Sequence, residues 1–194
     1  MHKGRLEAFS DGVIAVIITI LVLELRAPHG TDWAAIEPLA PVFVSYVLSF
    51  LYLGIYWTNH HHLLQAATHV TGPVLWANLH LLFWLSLVPF VTGWMGENQF
   101  ATVPVAIYGA NLLFAALAYY VLERTLIAAQ GKDSRLQMAV GAEIKGWVSV
   151  ACYAAGIVGT LLFAPWIGLA LYALVALMWL VPDRRIERTL GVRQ

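Results

Sequence analysis

Two short stretches hold most of the reactive side chains, and neither has the make-up of a catalytic centre. The first, "RLEAFSDGVIAVIITILVLEL" at residues 5–25, puts Arg5, Glu7, Ser10 and Asp11 ahead of an apolar run, with Thr19 inside it and Glu24 near its far end. The second, "YWTNHHHL" at residues 56–63, contains three consecutive histidines. An acid placed in hydrocarbon costs about 2.5–3.5 kcal/mol on insertion scales, so such groups turn toward protein or water. Carboxylates at both ends of a short apolar helix therefore suit the wall of an aqueous path. Consecutive histidines point to different faces of a helix and make a poor single metal site. The chain shows no nucleophile–base pair and no H-x-x-x-H spacing around His60, His61 or His80, which argues against an enzyme or a histidine-ligated metal or haem protein.

The surrounding elements must be membrane helices. Of 194 residues, 60% are hydrophobic and 11% charged, and the mean hydropathy is +0.74. A soluble domain needs a larger charged surface, so most of this chain faces lipid or other helices. Eleven basic and eleven acidic residues cancel, leaving no bias toward nucleic acid. Cys152 is the only cysteine and reads as a small buried apolar side chain. The first apolar run has no A-x-A cleavage site after it and is expected to stay as a membrane helix.

Spanning a core of about 30 Å takes about 20 mostly apolar helical residues. Such runs lie near 9–26, 40–57, 73–95, 101–123, 144–164 and 165–182, the last two parted by a tight turn at Pro165. The expected fold is all-α: a polytopic protein with six transmembrane helices in one domain, residues 1–194. With the N-terminus inside, ten of the eleven Lys and Arg residues fall on the inner side and only Arg26 outside. That bias predicts a multi-pass protein with both termini cytoplasmic. "QGKDSR" reads as a polar loop, and "DRRIERTLGVRQ" as a solvated extension near anionic lipid.

On the first helix, Gly12, Val16, Ile20 and Leu23 share one stripe with Thr19 at its edge. Ser10–Asp11–Gly12 can act as a helix N-cap, which leaves Arg5 unexplained unless it pairs with Asp11 or a nearby polar group. Glu24 either sits at headgroup level or, near the stripe, concentrates cations at an outer mouth.

Arg5-Leu-Glu-Ala-Phe9-Ser10-Asp11-Gly12 matches an R-x-x-x-F-S-D-G signature, and in it the chain resembles prokaryotic single-repeat members of the transmembrane protein 175 family of potassium channels. The resemblance covers the whole chain in architecture and the first two spans in motif. It implies a homotetramer in the lipid bilayer whose first helices line a central pore for monovalent cations, K⁺ being the permeant ion and no cofactor being needed. It implies an apolar constriction at Val16, Ile20 and Leu23, with Val16 smaller than the Ile or Leu common there, and an ion-coordinating hydroxyl at Thr19. Arg5 and Asp11 correspond to members of a polar network that supports the helix. A W-x-N-H-H pattern at the inner end of span two adds Trp57, Asn59, His60 and His61, with His60 and His61 not distinguished.

Such a network offers a route to pH-dependent gating through histidine protonation. Asn78, His80 and Asn111 are expected to bond between helices, and Ala155 and Gly159 to allow close packing. A secondary transporter coupled through Asp11 or the histidines is the main rival, but broken helices and repeat symmetry are not visible.

Overall fold

A computed structural model describes residues 3–131 and 144–180. Its helices are α1 (Lys3–Leu23), α2 (Ala40–Ala66), α3 (Gly72–Ser86), α4 (Val88–Glu97), α5 (Thr102–Gln130), α6 (Ile144–Leu162) and α7 (Pro165–Leu180), with two 3₁₀ turns at Trp33–Ala35 and Glu37–Leu39. No strand occurs among the described residues. The chain is an all-helical polytopic membrane protein, as its hydropathy predicts. Five segments are long and apolar enough to cross a bilayer: Lys3–Leu23, Trp33–Ala66, Gly72–Glu97, Thr102–Gln130 and Ile144–Leu162. The sixth, α7, has 16 residues, or about 24 Å at 1.5 Å per residue. The expected inner loop from residue 132 onward and the C-terminal extension lie outside the described residues.

Two spans run longer than their apolar cores. Helix α2 continues to Ala66, so the histidine run is helical, and α5 continues to Gln130. The third span is broken, contrary to the sequence expectation of unbroken helices: Leu87 forms a turn between α3 and α4. Pro89 explains this, because it has no N–H to donate and its ring clashes with the carbonyl four residues earlier. The chain resumes helical bonding with Val91 N–H donating to the Leu87 carbonyl at 3.1 Å.

Side-chain latches define the two ends of the bundle. At one end the Lys3 ammonium donates to the carbonyls of Gln65 (3.2 Å) and Ala67 (3.1 Å), closing the C-terminus of α2. There also Gln130 accepts from the Thr68 amide (2.8 Å) and hydroxyl (2.6 Å) and donates to the His69 carbonyl (2.9 Å), fastening α5 to the α2–α3 turn. At the opposite end Arg26 pairs with Glu97 at 3.4 Å.

Helix α1 packs on α2, α3 and α4, while α5 joins α3 and α4 to the α6–α7 hairpin. Pro165 opens α7 at a position where a missing N–H costs nothing. The Tyr172 ring of α7 lies against Gly109, Gly156 and Gly168, each of which has no room for a Cβ. Gly159 likewise meets Ile167, where a Cβ would lie 2.6 Å from Cγ2. Ala155, expected at a close contact, is exposed, and Gly156 takes that place. The helical phase moved by one residue.

Candidate functional site: the first helix and its polar support

Helix α1 has two faces. Leu6, Ser10, Ile14, Ile17 and Leu21, spaced three and four apart, are buried against the bundle. The opposite face presents Phe9, Gly12, Val16, Thr19, Ile20 and Leu23, all exposed on the single chain; Leu23 is 76% exposed and Val16 55%. The Thr19 hydroxyl donates to the Val16 carbonyl at 2.8 Å. Its proton is thereby occupied, and its oxygen lone pairs are left for an outside partner.

Behind Ser10 lies a buried relay across three helices. Asn78 of α3 donates through Nδ2 to Ser10 Oγ at 2.9 Å. Its Oδ1 lies 2.7 Å from Nε2 of His60 on α2. Since Oδ1 can only accept, His60 Nε2 must carry the proton. Ser10, Asn78 and His60 are all at most 1% exposed. Buried polar groups without partners cost about 1–3 kcal/mol each, so this relay fixes how α1 sits on α2 and α3.

A second contact borders it. Trp57 Nε1 donates to Asp11 Oδ1 at 3.0 Å, and the Trp57 ring stacks on His61 with centroids 6.2 Å apart. The two histidines thus part company: His60 faces inward to Asn78 and His61 outward against Trp57. Arg5 is exposed and does not pair with Asp11; it has no hydrogen bond or ion pair among the described residues. Asn59 contributes its backbone carbonyl, which accepts from the Tyr119 hydroxyl at 3.2 Å.

At the Arg26 end, the Glu24 side chain rests on Gly93 of α4. His80 accepts from Trp84 of its own helix at 3.0 Å and makes no interhelical hydrogen bond among the described residues, contrary to expectation. The Asn111 side chain is buried without a hydrogen-bond partner among the described residues. Among those residues no three His, Cys, Asp or Glu side chains gather as a metal site. Asn78 bonds between helices, as expected from the sequence. Its role as the joint between Ser10 and His60 needed the third dimension.

Fold and site together define a polytopic helical membrane protein whose leading helix is anchored by a buried polar relay and turns an apolar, hydroxyl-bearing stripe outward. The family described as endosomal/lysosomal potassium channel TMEM175 matches residues 5–89. A potassium channel of Chryseobacterium sp. (strain P1-3) is 53% identical over 190 residues, covering 98% of each chain. A potassium channel of Streptomyces collinus is 35% identical over 62% of this chain and 63% of its own. The crystal structure of a lysosomal potassium-selective channel TMEM175 homolog from Chamaesiphon minutus superposes with a TM-score of 0.77, covering 92% of this chain and 96% of that one at 23% identity, a likeness of fold. This chain belongs to the TMEM175 family.

Proposed function

We propose that this protein is a potassium-permeable cation channel of the cell membrane, a homotetramer of single six-helix units with both termini cytoplasmic. The observation that carries the reading is the division of α1: one face locked by Ser10, Ile14 and Leu21, the other exposed along Val16, Thr19, Ile20 and Leu23. Two relatives named as potassium channels, one matching nearly end to end, support the permeant ion. Four copies of the exposed stripe around an axis form rings of apolar side chains, and narrow apolar rings stop conduction by expelling water. Between them, Thr19 oxygens partly replace the hydration shell of a passing K⁺, helped by the hydroxyl proton being held on Val16. Glu24 raises the local cation concentration at the outer mouth. Ser10, Asp11, Trp57 and His60 hold the helix in register and do not touch the ion, while Phe9 and Gly12 of the signature lie on its exposed face. Protonating His60 would add a donor at Nδ1 and keep the Asn78 bond, so pH would act through whatever faces Nδ1.

The test is potassium flux in liposomes holding the purified chain. Ile20→Asn and Leu23→Asn should each raise flux severalfold, because a polar ring wets the constriction. Flux unchanged by both, but altered by substitutions at lipid-facing positions such as Trp166, would remove α1 from the pore.

A further inference from the structure

We propose that the cleft between α1 and α4 at the Arg26 end is a binding site for a small organic monocation of the aromatic ammonium class. The cleft has a volume of about 510 Å³ and is lined by Ile20, Glu24 and Arg26 from the first helix and the residues after it, and by Ser86, Pro89, Phe90, Gly93, Trp94 and Glu97 from the third span. Sites for small molecules are concavities of about 300–1,000 Å³ with a few placed polar groups, and the volume of this cleft lies in that range.

Charge selects the occupant. Arg26 and Glu97 pair with each other at 3.4 Å. Glu24 has no ion-pair partner among the described residues, so the cleft carries one uncompensated carboxylate. That carboxylate lies against Gly93: a Cβ there would fall 2.6 Å from Glu24 Oε2 and 3.2 Å from its Cδ, so an added methyl obliges the Glu24 side chain to shift.

The same cleft is lined by Phe90 and Trp94, one turn apart on α4, whose rings stack with centroids 6.2 Å apart and 29° between planes. Aromatic faces attract cations, most strongly for indole and for a desolvated partner. A small metal ion needs several oxygens. Beyond Glu24, the lining offers only the paired Glu97 and the Ser86 hydroxyl, whose proton is given to the Phe83 carbonyl at 2.7 Å. A weakly hydrated organic cation fits the mixture of one anion, two aromatic rings and apolar floor better than K⁺ does.

Ile20 belongs both to this cleft and to the exposed stripe of α1. If that stripe borders the pore, as the channel reading holds, the occupant sits beside the conduction path and slows flux from that side.

Calorimetric titration of the purified full-length protein in nanodiscs with benzyltrimethylammonium tests the site without any need for conduction. Saturable binding is expected. Glu24→Gln and Trp94→Leu should each weaken it about tenfold or more, and Gly93→Ala should weaken it by displacing the carboxylate. Glu37→Gln, an exposed acid outside the cleft, should leave it unchanged. Each variant is first shown to elute as the parent assembly does; Phe90→Leu replaces Trp94→Leu if that one fails. No saturable binding, or binding indifferent to both Glu24→Gln and the aromatic substitution, overturns the proposal. In liposomes the same cation should slow K⁺ flux of the parent more than that of Trp94→Leu, each measured against its own unblocked flux. Tight binding with no slowing would overturn the cleft's position beside the path. A parent with no K⁺ flux at all would count against the channel reading, leaving the titration to decide the cleft.

Discussion

Asn78 uses a donor and an acceptor at once, toward Ser10 and His60, and no other side chain of its size and shape does both. Asn78→Ala strips the His60 N–H and the Ser10 hydroxyl of their partner together. Unfolding in detergent micelles should show a loss of about 1–3 kcal/mol. Gly109 is a second such position, because an added methyl meets the Tyr172 hydroxyl. Gly109→Ala should cost about 1–3 kcal/mol as an overpacked core does. Tyr172→Phe should recover part of that loss, which a double-mutant cycle reads directly. These contacts were not legible in the sequence. Ser10 and Asn78 lie 68 residues apart, Gly109 and Tyr172 63 apart, and no periodicity within one helix says which turn of another it will meet. The choice between His60 and His61 had the same origin: a rotation of about 100° separates neighbours, and only the position of α3 decides which of them is inside.

Among the elements, the spans themselves were readable because a run of apolar side chains must be long enough to cross hydrocarbon. Their ends were less so. Apolar length marks the lipid boundary, but a helix goes on while its backbone bonds are unopposed, and α2 and α5 each run past that boundary by seven residues or more. The break in the third span had its signal in Pro89, hidden by the unbroken hydropathy around it. The latch of α1 on α2 rests on Lys3, whose cation meets carbonyls left free at a helix C-terminus, an arrangement worth about 0.3–1 kcal/mol. Lys3→Met keeps the stem and removes the charge. Amide hydrogen exchange over residues 4–8 should quicken severalfold, with exchange in the relay region around Asn78 little changed.

For the molecule as a whole, orientation is open to a direct measurement. Starting from Cys152→Ser, a cysteine at Thr31 should react with an impermeant maleimide on intact cells, and one at Gln65 only after permeabilisation, since the two positions lie at opposite ends of the bundle. Native mass spectrometry should give four copies per assembly. The all-helical, multi-span architecture followed from composition and the lengths of the apolar runs. The orientation rests on the placement of Lys and Arg, and the four copies on the family resemblance. The stripe assignment on α1 came from its eight-residue signature, because every span here is apolar all round and periodicity alone cannot choose among them. The turn at Leu87 then has a consequence for how this protein can change. Asn78 stands on one side of it and Gly93 and Trp94 on the other, on two helices joined by a one-residue turn. A tilt of one helix is not obliged to pull on the other, so substitutions that reshape one half of this crossing can accumulate while the other keeps its grip on α1.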